Sequence, residues 1–275
     1  MKPSIIWLAS YPKSGNTWAR IFLANYLANP DAPLPINQAH RFCMGDTVAA
    51  MYRKVAGRPI DLNDVDLTLT LRPRVLRAIV ANNADVNFVK THNIRSAARG
   101  VPLIPDQFTR SAVYILRNPL DMVLSYARHY GMTPETAVSH IANVDNANAA
   151  DESSVAQFLG TWSEHVESWT SPSPYPVLVL RYEDLLADPE THFGKLLKHI
   201  GVPVDAARLK KAIEFASFKE LSKQEAQGGF VEKSKQSERF FAKGASGQWE
   251  SDLAPDLVAR VKRAHRKVMK KHGYL

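Results

Sequence analysis

The 275-residue sequence predicts an α/β fold, a parallel β-sheet flanked by helices. Two observations carry that expectation. Short, near-continuously apolar runs alternate with segments of helical period, the pattern of strands buried on both faces by crossover helices. The first apolar run also breaks at "YPKSGNTW" and continues as a helix, and ligands of open α/β sheets bind at such strand ends.

The elements follow in order. "SIIWLAS" reads as a buried strand and "NTWARIFLANYLAN" as a helix, with Trp18, Ile21, Phe22 and Tyr26 in helical period and Pro30 as the stop. "DVNFVKTH" is a second strand and "SAVYILRN" a third, more apolar one, central in its sheet. The third leads into "NPLDMVLSYARHYG", a helix with Asn118 as N-cap, Pro119 at the first helical position and Gly131 past the end. "SVAQFLGTWSEHVESW" is amphipathic at helical spacing through Val155, Phe158, Leu159, Trp162, Val166 and Trp169. "YPVLVLRYEDLL" is a fourth strand and "DPETHFGKLLKHIG" a capped helix. Residues 1–275 read as one domain. Stretches 31–71, 132–152 and 223–248 fit neither pattern and read as excursions that build an acceptor pocket or a lid.

Composition bounds the function. Hydrophobic residues make up 45% and charged residues 23%, ordinary for a globular protein with a substantial core. No apolar stretch approaches the roughly 20 residues needed to cross a bilayer, and the N-terminus lacks signal-peptide features, so no membrane insertion is expected. The single cysteine, Cys43, forms no internal disulfide, and a cytoplasmic setting is the simplest reading. The net charge of +8 favours an acidic partner. Much of the excess lies in "RVKRAHRKVMKKHGYL", where Leu257, Val258, Val261, Ala264, His265 and Val268 form an apolar helix face and the basic residues a solvated one. No aromatics interleave those basic residues, so a nucleic-acid partner is not expected.

Four segments carry candidate chemistry. In "YPKSGNTW" a strand-to-helix turn offers free backbone N–H groups and a helix dipole to an anion. Gly15 permits close approach, Lys13 adds charge, and Ser14, Asn16 and Thr17 add side-chain donors. The lysine precedes the glycine, so this is not the G-x-x-x-x-G-K-[ST] phosphate loop. In "FVKTHN", His92 follows a strand two residues after Lys90, and a neutral imidazole there can accept a hydroxyl proton. In "ILRNPLDMVLSYARHYG", Arg117 ends a strand and Ser125 lies eight positions on, a pair able to grip a second phosphate. "FFAKGASGQW" places Lys243 and Gly244 in a flexible basic loop. Each segment alone also reads as an ordinary strand-end turn. The histidines and the lone cysteine show no metal-ligand spacing, so no metal is expected.

Taken together and in order, these segments resemble the sulfotransferase family that uses 3′-phosphoadenosine 5′-phosphosulfate (PAPS) and releases adenosine 3′,5′-bisphosphate (PAP). The resemblance runs from residue 5 to about residue 249. It implies a P-loop-like nucleotide-binding sulfotransferase fold and sulfuryl transfer to a hydroxyl or amine of a small-molecule or natural-product acceptor. Lys13, Ser14, Gly15, Asn16 and Thr17 would form the 5′-phosphosulfate loop, with Lys13, Lys90 and His92 catalytic and His92 the general base. Arg117 and Ser125 match the 3′-phosphate motif, and the resemblance further implies that Ser125 bonds Lys13. "LRYEDLLADP" carries Tyr182 toward the adenine, "FASFKELSK" places Ser217 and Phe218 beside it, and Trp18 and Phe218 would sandwich the base. "FFAKGASGQW" stands where the family has Arg-Lys-Gly, with Lys243 and Gly244 retained and Ala242 replacing the arginine. Arg239 and Lys235 are the nearby substitutes. Phe42, Tyr52, Tyr130, Phe230 and Phe240 are candidates for the acceptor pocket. The rival readings are a P-loop small-molecule kinase or NTPase, and a non-catalytic basic nucleotide- or nucleic-acid-binding module. No feature of the sequence sets an oligomeric state.

Overall fold

The computed structural model describes residues 4–82 and 84–275. Five parallel strands form the central sheet: β1 (Ile5–Ser10), β2 (Met44–Gly45), β3 (Asn87–Thr91), β4 (Thr109–Leu116) and β5 (Val177–Arg181), in the order β2-β3-β1-β4-β5. In β1 every side chain is buried. Trp7 and Ala9 join a core with Tyr114, Leu116, Trp162 and Trp169, whereas Ile6 and Leu8 join one with Phe22, Val113, Ile115 and Phe193. Alternation along each strand thus supplies two separate cores, one per face, as a doubly covered sheet requires.

The strands align at their carboxyl ends: Ala9 pairs with Thr91, Ser10 with Ile115, and Leu116 with Arg181. From β1 the chain leaves toward β2 and β3 on one side and returns to β4 and β5 on the other. The crevice at the end of β1 is therefore the topological switch point where such sheets bind ligands.

The predicted helix after β4 spans Pro119–Tyr130, with the Asn118 side chain capping Leu120 N and Gly131 past the end. Five segments differ from the expectations. The excursion 31–71 contributes an edge strand, β2, and the helices Ala49–Ala56 and Val65–Val80. Excursion 132–152 contains the helix Pro134–Ile141, and residues 223–228 belong to the helix Phe218–Gly228, so the irregular strap begins at Gly229. The amphipathic run 154–169 is helical only over Trp162–Thr170, because Thr161 and Glu164 form a capping box that starts the helix there. Gln157–Phe158 instead pairs antiparallel with Ala147–Asn148. In "YPVLVLRYEDLL" the strand ends at Arg181, and Tyr182–Ala187 is a short helix.

Candidate active site at the strand ends

The loop after β1 builds the first wall of the site. Lys13 and Gly15 both adopt left-handed backbone (φ 67° and 104°), which turns the chain sharply into the helix Asn16–Ala28. Gly15 has two reasons to be glycine: its φ, and a Cβ that would lie 2.7 Å from the Tyr182 ring. Asn16 Nδ2 donates to Leu8 O at 2.8 Å and ties the turn to its strand. Ser14 Oγ and Asn16 Oδ1 are buried without a hydrogen-bond partner among the described residues. The Ser14 hydroxyl, a donor, beside the free N–H groups of a helix start makes an anion cradle.

The ends of β3 and β4 supply the other walls. His92 Nδ1 lies 2.8 Å from Ser10 O. A carbonyl only accepts, so the proton sits on Nδ1 and the Nε2 lone pair is free. Burial and the Lys90 charge hold the imidazole well below the ordinary histidine range, so it is neutral at pH 7. His165, missed at the sequence level, supports it. Tyr114 OH donates to His165 Nδ1 at 2.9 Å, and His165 Nε2 donates to His92 O at 3.0 Å. Arg117 is buried, donates to Lys13 O at 3.0 Å and Ala245 O at 3.2 Å, and packs 4.3 Å over the Tyr182 ring with its Nε unpaired.

A cavity of about 1390 Å³ joins these groups. It is larger than the roughly 300–1,000 Å³ of a one-ligand cleft. Lys13, Gly15, Asn16, Thr17 and Trp18 line it from the first loop and helix start, Lys90, His92, Arg117 and Tyr182 from later strand ends, and Ser125 from the helix Pro119–Tyr130. Phe218, Lys243 and Gly244 close one side, and a Cβ on Gly244 would meet the Phe218 ring at 2.2 Å. Ser217 does not line the cavity; it is the N-cap of the Phe218–Gly228 helix. Lys243 Nζ is paired with Asp252 at 2.5 Å.

The anticipated Ser125–Lys13 hydrogen bond is absent among the described residues. Lys13 Nζ lies 3.6 Å over the Phe240 ring and 3.5 Å from His129 Nδ1, and these neighbours hold the ammonium in place. Trp18 meets Tyr182 and Phe193 edge to face, and shares the cavity with Phe218. Of the five aromatic candidates for an acceptor pocket, Tyr130 and Phe240 line the cavity. Phe230 is buried under Phe240 and Phe241, and Tyr52 is buried beside Arg72. Cys43 reaches the cavity, but burial pushes its thiol up to about 12, which makes it a poor nucleophile.

One further group was not legible in the sequence. Glu232, in the strap, accepts two hydrogen bonds from Arg20 (2.7 and 2.6 Å) and one from Thr17 (3.3 Å), and lies 3.5 Å from Lys90 Nζ. Burial alone would raise its pKa, but Lys90 and Arg20 hold it well below the usual carboxylate range. The strap is thereby fastened to the first helix and to β3. Arg128, one turn beyond Ser125, Lys235 and Arg239 also face the cavity.

The chain is 25% identical to sulfotransferase 1 family member D1 of Mus musculus over 285 aligned positions, covering 98% of this chain and 84% of the mouse protein. Two solved structures share the fold. One is mouse sulfotransferase SULT7A1 complexed with PAP, with a TM-score of 0.63, 20% identity, and 98% and 86% of the two chains covered. The other is a retinol dehydratase in complex with androsterone and PAP, with a TM-score of 0.66, 18% identity, and 98% and 82% covered. The sulfotransferase domain model matches residues 3–273, a span that contains the turn after β1, the Lys90–His92 strand end and the Arg117–Ser125 pair, and the chain therefore belongs to the sulfotransferase family.

Proposed function

We propose that this protein transfers a sulfuryl group from PAPS to a hydroxyl or amine of a small-molecule acceptor, with His92 as general base. The observation that carries the reading is the free Nε2 of a neutral His92 in the same cavity as Lys13, Lys90 and the Arg117–Ser125 pair. The residues fit such a donor. Ser14 Oγ, unpaired among the described residues in the turn behind the cavity wall, and the Arg117 guanidinium, which lines the cavity, would meet its two anionic ends, and Trp18 and Phe218 line the same cavity and offer apolar faces to its base.

Bound PAPS supplies an activated sulfuryl group on a phosphate leaving group. The protein's part is positioning and charge. His92 Nε2 takes the acceptor proton as the acceptor O–S bond forms. Lys13 balances the negative charge that the leaving phosphate oxygen gains as its bond to sulfur breaks. Lys90 faces the oxygens of the transferred group, and the nearby Glu232 carboxylate favours the charged form of Lys90 against the burial that opposes it. Arg117, Ser125 and Arg128 hold the 3′-phosphate, with Arg128 supplying the guanidinium that Ala242 lacks.

His92→Ala tests the general base. Transfer from labelled PAPS should fall about 10²–10⁴-fold or more, while PAP binding stays within a few-fold of wild type. Loss of PAP binding in step with activity would remove His92 from that role.

A further inference from the structure

The half of the cavity beyond His92 has a wall of its own. Gly45 pairs with Lys90 across β2 and β3, and Asp46 N donates to Lys90 O at 3.1 Å, so Thr47 leaves the sheet beside the segment carrying His92. Asn93 Oδ1 accepts from Phe158 N at 2.9 Å, and Ile94 N donates to Phe158 O at 2.8 Å, which lays Gln157 along the same segment. Asn148 is the cross-strand partner of Gln157. These side chains form a linked strip: Gln157 Nε2 donates to Thr47 Oγ1 at 2.9 Å, Asn148 Nδ2 donates to Gln157 Oε1 at 3.2 Å, and the Tyr130 hydroxyl interacts with Asn148. All four face the cavity.

The strip retains hydrogen-bonding capacity. Gln157 has one amide proton left, Asn148 has a donor and an acceptor, and Thr47 has its hydroxyl proton. A steroid-like or naphthol-like acceptor packed on this wall would strip water from those groups and pair none of them, which disfavours its binding. A ring bearing several hydroxyls, each both donor and acceptor, satisfies them. The Tyr130 ring, at the end of the strip, supplies an apolar surface for the C–H face of such a ring.

We propose, building on the sulfuryl-transfer reading above, that the acceptor is a neutral polyhydroxylated molecule of the sugar or glycoside class. One hydroxyl is presented to His92 and its neighbours are bound by Thr47, Gln157, Asn148 and Tyr130. The reacting hydroxyl gives its proton to His92 Nε2 and forms the O–S bond. The S–O bond to the phosphate breaks, and PAP leaves with the electron pair. The strip selects the acceptor and takes no part in proton transfer.

The test measures transfer from labelled PAPS to a panel of methyl hexosides and disaccharides, with 2-naphthol and a steroid alcohol as apolar acceptors. The best sugar acceptor should exceed 2-naphthol in kcat/KM by about tenfold or more, since a site built for hydroxyls discriminates strongly against molecules that lack them. In Gln157→Met and Asn148→Leu the ratio of sugar to naphthol kcat/KM should fall roughly 10- to 100-fold, chiefly through the sugar KM. Thr47→Val serves where either variant fails to fold, and PAP binding reports folding in all three. Preference for naphthol or the steroid alcohol, or sugar KM values within about threefold of wild type in the variants, would overturn the proposal. Absence of sugar transfer by a wild type that binds PAP also overturns it and leaves the PAPS reading standing. Failure of the wild type to bind PAP overturns that reading and this one with it.

Discussion

Burial, with Lys90, Arg117 and Arg128 adding to it, lowers the Lys13 ammonium to about 7 against its ordinary 10.5. An anionic ligand needs that group charged, so binding above neutrality draws in a proton. PAP affinity should fall as pH rises through 7, by up to about tenfold per pH unit until the liganded pKa is reached. The phosphates of PAP are already doubly charged in that window, and titrations from pH 7 to 9 in buffers of different ionisation enthalpy report the proton uptake. Lys13→Met should flatten the slope, and a flat wild-type profile would contradict the assignment. Arg128 is the second residue to test. Arg128→Ala should raise the PAP Kd roughly 10- to 100-fold, the value of a lost charge-assisted hydrogen bond, with little change for adenosine 5′-phosphate. An equal loss for both nucleotides would remove Arg128 from the 3′-phosphate site. Lys13, Lys90, His92 and Arg117 were legible because each sits at the end of an apolar run, where sequence order alone predicts a ligand. Arg20, Arg128, His129, His165 and Glu232 were not, because nothing local marks them. Glu232 meets Arg20 across 212 residues, and His165 reaches the His92 backbone across 73.

Elements hold these groups through a few buried ties. Arg72, inside the helix Val65–Val80, donates to Asp46 Oδ2 at 2.6 Å, and the same oxygen accepts from Thr91 Oγ1 at 2.9 Å and Asn93 Nδ2 at 3.0 Å. That carboxylate therefore fixes the edge strand β2 and the His92 segment at once. Asp46→Ala leaves a buried guanidinium without its counter-charge, held only by Leu103 O and the Tyr52 hydroxyl, which should cost about 3–5 kcal/mol and lower Tm by on the order of 10 °C. A Tm within about 2 °C of wild type would show that the tie is dispensable. The sequence carried the longer elements well: β1, β4 and the Asn118-capped helix lie where apolar runs and capping signals put them. It hid β2, whose two residues are too few to show a period. It also misplaced the helix start in 154–169, where Val155 and Leu159 are buried and Phe158 half-buried from loop and ribbon yet fall by chance on helical spacing.

At the scale of the whole molecule, the charge is +8, and two groups of basic residues stand out. On the helix Pro255–Lys271 the basic residues Arg263, Arg266, Lys267, Lys270 and Lys271 face solvent, while Leu257, Val261 and Val268 pack inward. A second group lines the cavity at the sheet's carboxyl edge, where Lys13, Lys90, Arg117 and Arg128 meet one strap carboxylate, Glu232. The order of the strands places these residues at the switch point, whereas the sequence made readable only that they follow strand ends. That Thr47, Asn148 and Gln157 line one cavity was not readable, since they come from two excursions and the run 154–169, joined only by the fold. The most direct measurement is calorimetric titration of the wild type and Arg117→Ala with PAP, adenosine 5′-phosphosulfate and Mg-ATP. The wild type should bind PAP more tightly than Mg-ATP. Arg117→Ala should lose about tenfold or more of its affinity for PAP and clearly less for adenosine 5′-phosphosulfate, which lacks the 3′-phosphate. Tighter binding of Mg-ATP than of PAP, or an equal loss for both nucleotides in the variant, would contradict a cleft built for 5′ and 3′ anions.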